Sequence, residues 1–141
     1  MDDLQSFQNL LLNTLDIDEQ TRNQAENTLL NFKNSNYECY IDYEINSIIN
    51  PINERIPRIS ITHLYREAKS GQLFDNEEIT KKFASNFTSN ITNQLLSPNI
   101  EDQFKINLSS ILAILHVHIY KIYQDITIPK YILNAYLYTH R

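Results

Sequence analysis

The sequence predicts an all-α chain, and three observations carry that prediction. There is one glycine, Gly71, in 141 residues. Apolar residues recur at helical rather than alternating spacing along seven successive segments. The links between those segments are short and polar, with proline rather than glycine as punctuation. All-β folds spend glycine at their turns, and so do phosphate loops and dinucleotide-binding turns, where the backbone must approach a ligand closely. A nucleophile elbow needs two glycines around its serine. A single glycine excludes all of these.

The first segment, residues 2–15, carries Leu4, Phe7, Leu11 and Leu15 on one stripe, with Asp2 and Asp3 at the positive end of the helix dipole. "LDID" breaks it. Asp18 is the expected N-cap of the second segment, Thr21 the other choice. That segment places Ala25, Leu29 and Phe32 on one stripe and sets Arg22 one turn before Glu26, an expected ion pair. "KNSN" ends it. The third segment, Tyr37 to Ile49, carries Tyr37, Tyr40, Ile41, Ile45 and Ile48 or Ile49. Its β-branched residues leave a strand open, and the i, i+4, i+8 spacing favours a helix.

Pro51 and Pro57 mark the next link. The fourth segment, Arg58 to Ser70, has Ile61, Leu64, Tyr65 and Ala68 on one face and stops at Gly71, a left-handed C-terminal cap. The fifth, about 76–96, is capped by Asn76 or Asp75 and holds Ile79, Phe83, Phe87, Ile91 and Leu95 at strict i+4 steps until Pro98. The run "EEITKK" is expected to be a solvated first turn with Glu78 paired to Lys82. The sixth segment, Ile100 to Tyr123, is the most apolar: Phe104, Leu108, Ile111, Leu112, Leu115, Ile119 and Ile122. It should be the most buried, with Phe83 and Phe87 packed near Leu108 and Leu112. A seventh, Lys130 to Tyr138, closes the sequence.

Links of about two to eight residues bring consecutive helices antiparallel. Pairing one with two, three with four and five with six gives hairpins of about 35 to 50 residues, the period of HEAT-type repeats. The expected organisation is one helical-repeat domain of three and a half units. They fall at about 2–33, 36–70 and 76–123, with a fourth begun at about 128–139. Such an α-solenoid offers a binding face built by the second, fourth and sixth segments. Asn23, Thr62, Arg66, Lys69 and Asn107 lie there away from the apolar stripes.

The net charge of −5 argues against a nucleic-acid surface, which needs a basic stripe to displace phosphate counterions. No basic signal-peptide start is present, and no segment reaches the roughly 18 apolar residues of a membrane span. The single cysteine, Cys39, allows no intrachain disulfide and fits a reducing compartment, cytoplasm or nucleus. It sits among tyrosines and is expected to be a buried, inert thiol rather than a nucleophile. His116 and His118 cannot share an ion, because H-x-H on a helix points two imidazoles about 200° apart. The Asn-x-Ser/Thr triplets at Asn86, Asn90 and Asn107 are what an Asn-rich chain yields by chance. The nine tyrosines are expected to fill core and grooves rather than form a stacking platform. No catalytic residue, metal site or cofactor is expected.

The stretch "LLLNTLDIDEQTRNQAENTLLNF" resembles the first HEAT repeat of the importin-β (karyopherin-β) family. That family opens with a leucine-rich helix, a short acidic turn, then Arg, Gln/Ala-Glu and Leu. Leu11, Leu15, Asp18, Arg22, Gln24, Ala25, Glu26 and Leu29 match the pattern. "RISITHLYREA" is similar to the second repeat's inner helix, and the fifth and sixth segments are similar to the third repeat. "ITIPKYILNAYL" resembles the start of the fourth, with Ile128-Pro129 where the family has Trp-Pro. The family's small residues at helix crossings are here Ile, Thr and Tyr. The resemblance covers the chain in order, but its specific part is the first hairpin.

The resemblance implies a nuclear transport receptor whose N-terminal repeats bind the GTPase Ran in its GTP form. It implies cargo proteins and nucleoporins as further partners, and residence in cytoplasm and nucleus. Such receptors are many times longer, so the chain is expected to be an N-terminal part or a reduced relative. Tyr131, Ile132, Ala135 and Tyr138, with no following helix to cover them, are an expected self-association face. The alternative class is a free-standing bundle that captures a partner's amphipathic helix in a groove, like viral apoptosis regulators of the Bcl-2 type. The chain has no Trp, and hence not that family's Asn-Trp-Gly-Arg signature.

Overall fold

The computed structural model describes residues 3–91 and 102–122, the side chains of 119–122 excepted. Among the described residues all regular structure is helical: α1 (Leu4–Asn13), α2 (Glu19–Ser35), α3 (Tyr37–Ile49), α4 (Ile56–Ser70), α5 (Glu77–Ile91) and α6 (Asp102–Ile122), with a short 3-10 turn at Gln72–Phe74. The third segment is therefore a helix, and the strand alternative falls. The seventh segment, the link before it and the residues from 92 to 101 lie outside the described residues.

The helix boundaries follow from local chemistry. Asp3 caps α1 by accepting Ser6 N–H through Oδ1 at 2.6 Å. Thr14 closes that helix, donating its backbone N–H to Leu10 and Leu11. Leu15, expected on the apolar stripe, consequently lies past the helix end and is exposed. Asp18 caps α2, as its position predicts, through Thr21 N–H at 3.0 Å. Helix α2 runs to Ser35, through most of "KNSN", because a single residue makes the whole joint to α3. Asn36 donates its N–H back to Phe32 and accepts Cys39 N–H on its side chain at 3.2 Å. Helix α4 begins at Ile56, two residues before its expected start, because Pro57 is tolerated in a first turn where its missing N–H has no helical partner. It ends at Gly71 with φ +86°, the left-handed value expected there.

Two compact units divide the chain after Ser60, so α4 starts in the first and continues in the second. In the first unit α1 lies beside both α2 and α3, and α2 beside α3. The expected pairing of α1 with α2 is present. Within the first unit the start of α4 is tied to α3 by Ser60 Oγ donating to Glu44 Oε1 at 3.0 Å. An aromatic cluster is set into a mainly aliphatic core that includes Leu11, Leu29, Ile41, Ile45 and Ile48. Phe7 is fully buried, with its ring centroid 6.0 Å from Phe32, 6.0 Å from Tyr40 and 5.4 Å from Tyr43. Phe32 stacks on Tyr43 at 5.6 Å. Tyr40 is buried in that core, whereas Tyr37, Tyr43 and Tyr65 are half-buried.

Two buried polar side chains tie the unit together. Gln8 donates through Nε2 to Asn50 O at 3.0 Å and accepts Ile52 N–H at 2.8 Å. The α3–α4 link thereby has its backbone groups satisfied by a residue more than forty positions away. Glu44, also fully buried, accepts from Tyr40 Oη at 2.7 Å as well as from Ser60. An unpaired buried carboxylate would be costly, and these donors offset its desolvation.

In the second unit α5 lies beside α6, the expected hairpin. Phe83, Phe87, Leu108 and Leu112 are all buried, and the two phenylalanine rings stack at 4.9 Å. Two buried hydroxyls here donate within their own helix: Ser109 Oγ to Lys105 O and Ser110 Oγ to Ile106 O. Thr80 Oγ1 reaches both Asn76 O and Leu73 O, fastening the 3-10 turn to α5. Asn76 caps α5 through Glu78 and Ile79 N–H. The charge pair in "EEITKK" is Lys81 with Glu77 at 3.6 Å, one residue earlier than the expected register.

Candidate binding surface

Among the described residues a concave surface lies on the α1–α2 hairpin. It is an open groove of about 410 Å³ lined by Leu10 and Asn13 of α1 and by Thr21, Gln24, Ala25, Asn27, Thr28 and Asn31 of α2. Ala25 is buried and Leu10 half-buried, so the groove has an apolar floor under a polar rim. None of the lining residues is charged, although α2 also carries Glu19, Arg22, Glu26 and Lys33. Helical spacing explains the separation: Thr21, Gln24, Thr28 and Asn31 recur every three or four residues and share one face.

The turn between the two helices is held by its own polar groups. Asp18 Oδ2 accepts both the backbone N–H of Thr21 and its hydroxyl, the latter at 2.7 Å. The Thr21 hydroxyl, then its N–H, holds the Asp18 carboxyl below the ordinary carboxylate value. Asp16 Oδ1 accepts Asp18 N–H at 2.8 Å. Arg22, expected to pair with Glu26, instead reaches back and donates to Asp16 O at 3.2 Å. The acceptor is a carbonyl of the turn between α1 and α2. The turn leaves Ile17 98% exposed.

The sequence-predicted face is distributed over both units. Asn23 is exposed on α2 but outside the groove lining, one position off its face. Thr62, Arg66 and Lys69 follow each other at i, i+4 and i+7 on α4, where Arg66 and Lys69 are exposed and Thr62 is half-buried. Lys69 Nζ sits 5.8 Å from the centre of the Tyr65 ring. Asn107 is half-buried on α6 and accepts from Gln103 Nε2 at 3.2 Å. The structure brings together the three α4 residues. Asn23 belongs to the other unit. Tyr131, Ile132, Ala135 and Tyr138 lie outside the described residues.

Sequence reasoning missed the groove. Its carboxamides look like background in an Asn-rich chain, and the only signal available was their recurrence on one face of α2 beside Ala25.

Cys39 is half-buried rather than buried. It stands in the first turn of α3, where the stripe has not yet turned fully inward. His118 stacks on Phe74, the ring centroids 3.8 Å apart and nearly parallel. Among the described residues there is no group of three or more His, Cys, Asp or Glu side chains that could hold a metal ion. Among them, too, no helix is long and apolar enough to cross a membrane. No known protein family, curated protein or solved structure matches the chain.

Proposed function

We propose that the chain is the N-terminal part of an importin-β-like nuclear transport receptor. In this reading it is a HEAT-type protein-binding scaffold that engages Ran-GTP and carries protein cargo through nuclear pores, moving between cytoplasm and nucleus. The support is the α1–α2 hairpin, where most residues carrying the family resemblance have distinct physical tasks. Leu11, Ala25 and Leu29 are buried where the helices meet. Asp18 caps α2, Arg22 fastens the turn and Gln24 lines the groove. A pattern that also makes a capped, clasped helical hairpin is what a first repeat requires, because each repeat must offer its neighbour a finished face.

Partner contact in this reading falls on exposed positions of α2, α4 and α6, and Arg66 and Lys69 of α4 are the cationic members of that set. The test is a titration of the chain with Ran loaded with GTP and with GDP. Binding should be tighter to the GTP form, and the charge-reversed pair Arg66→Glu with Lys69→Glu should weaken it while the helical spectrum is unchanged. Equal binding of both forms, or none at high concentration, removes the transport reading.

A further inference from the structure

We propose that the exposed face of helix α4 docks an acidic segment of a partner polypeptide, whose carboxylates are taken up by Arg55, Arg66 and Lys69. Docking of this kind does not depend on the transport reading; it follows from the charge of the face alone.

Three observations carry it. First, the face is cationic throughout. The exposed residues of α4 are Arg58, Arg66, Lys69 and Ser70, and Arg55 is exposed just before the helix begins. At about 100° per residue, Arg55, Arg58, Arg66 and Lys69 fall within a sector of about 80° on one continuous helix. A third of the chain's 12 Lys and Arg thus share one strip, in a chain of net charge −5. The acid within α4, Glu67, is buried, and Glu54 precedes the helix. Helix α5, by contrast, exposes both signs and pairs Lys81 with Glu77. Second, the strip lacks a counter-charge of its own. Among the described residues the side chains of Arg55 and Arg66 make no hydrogen bond or ion pair, and Lys69 meets only the Tyr65 ring. Third, the arrangement opposes the helix that carries it. Arg66 and Lys69 are like charges three residues apart, which destabilises a helix. Arg55 and Arg58 stand at the positive end of the helix dipole, where the first turn holds no acid. Lys69, in the last turn, is the member that the dipole favours. Cations set against local preference point to a charge outside the chain.

The occupant is an acidic polypeptide rather than a nucleic acid or an anionic membrane, because the strip is narrow. A phosphate backbone or a lipid surface needs a broad basic area. Here the rest of the chain sets 17 acids against the remaining eight cations, so a wide polyanion meets repulsion as soon as it leaves the strip. A single peptide strand touches the strip alone. The guanidinium groups of Arg55 and Arg66 suit two-point hydrogen bonding to carboxylates. Lys69, 5.8 Å from the centre of the Tyr65 ring, supplies a further cation beside an aromatic surface.

The experiment titrates the full chain against a dye-labelled, capped octapeptide of alternating Glu and Ser, read by fluorescence anisotropy. The control peptide has Gln for every Glu. Saturable binding of the first, weakened by raised ionic strength, and none of the second are expected. Arg66→Gln with Lys69→Gln should weaken binding about ten-fold at low salt, with helix content unchanged. Arg55→Gln, outside the helix, should weaken it about three-fold and keeps the test open if the double variant loses helix. Lys81→Gln with Lys105→Gln removes the same charge away from the strip and should leave binding unaltered. Oligothymidylate, and vesicles of phosphatidylserine and phosphatidylcholine in equal parts, should compete less well than unlabelled peptide at equal anion concentration. The proposal is overturned by no saturable binding up to millimolar peptide, by equal binding of the Gln peptide, or by Lys81→Gln with Lys105→Gln weakening binding as much as the strip variant. It is also overturned if the oligonucleotide or the vesicles displace the peptide better than the peptide itself. Self-association that the strip variant abolishes would overturn it too, since the occupant would then be a second copy.

Discussion

The two units of the chain both bury polar side chains, and those of the first reach much further along the sequence for their partners. In the first, Gln8 and Glu44 are fully buried, and each bonds to groups far away in sequence: Gln8 to Asn50 and Ile52, Glu44 to Ser60. In the second, buried Ser109 donates to the carbonyl four residues before it, as buried Ser47 does in the first, and buried Thr80 reaches seven residues back, to Leu73 O. A hydroxyl bonded back to its own helix satisfies itself wherever that helix goes and says nothing about neighbours. A glutamine that must find one carbonyl and one amide across the fold specifies an arrangement. The difference teaches which polar residues define geometry, as Gln8 and Glu44 do, and which are only tolerated, as Ser47 and Ser109 are.

Four substitutions sharpen or break this contrast. The largest effect is expected from Phe7→Ala. That ring is fully buried against Phe32, Tyr40 and Tyr43, and its removal should cost the first unit about 3–5 kcal/mol. Chemical denaturation followed by tyrosine fluorescence would measure it. A cost below about 1 kcal/mol would mean that the aromatic cluster is not the core.

Next comes a matched pair. Gln8→Leu keeps the volume but strands Asn50 O and Ile52 N–H, at about 2 kcal/mol. Ser109→Ala leaves a carbonyl still bonded within its helix and should change stability by less than about 0.5 kcal/mol. Equal effects on denaturation midpoints would erase the distinction between bonds that cross the fold and bonds that stay within a helix.

The smallest effect is expected at the exposed turn. Asp18→Ala should lower the melting temperature at neutral pH. The Asp18 carboxyl is depressed by the Thr21 hydroxyl and N–H, so its contribution is full above the ordinary value of 3.8 and is lost as pH falls through the lower folded value. The melting difference between variant and parent should therefore shrink in acid. A pH-independent difference would assign the effect to helix propensity instead.

Much of this fold was legible in the sequence because it is local. The caps at Asp18 and Asn76, the stop at Gly71 and the full extent of α3 follow from residues within one turn of each boundary. Leu15 misled because its spacing continued a stripe past the point where Thr14 ends the helix. The 3-10 turn at Gln72–Phe74 is too short to show a period. What the sequence hid is long-range. Nothing in "FQN" says that Gln8 will be buried, and Glu44 reads as one more surface acid until Tyr40 and Ser60 are placed around it. The α4 residues of the predicted face do share one side, since helical spacing fixes that. Asn23 sits one position off the groove, a difference that only the packing of α1 against α2 decides.

A binding surface on the α1–α2 hairpin requires the first unit to behave as one body, its far link included. The amide of Ile52, in a non-helical link yet bonded to Gln8, reports this most directly. Hydrogen exchange in the parent chain should protect it together with the amides of α1 and α3, opening at the same denaturant dependence, and Gln8→Leu should release it to the rate of a free loop. If Ile52 exchanges at the free-loop rate in the parent while the α1 and α3 amides stay protected, the link is not held and the first unit is not a single platform.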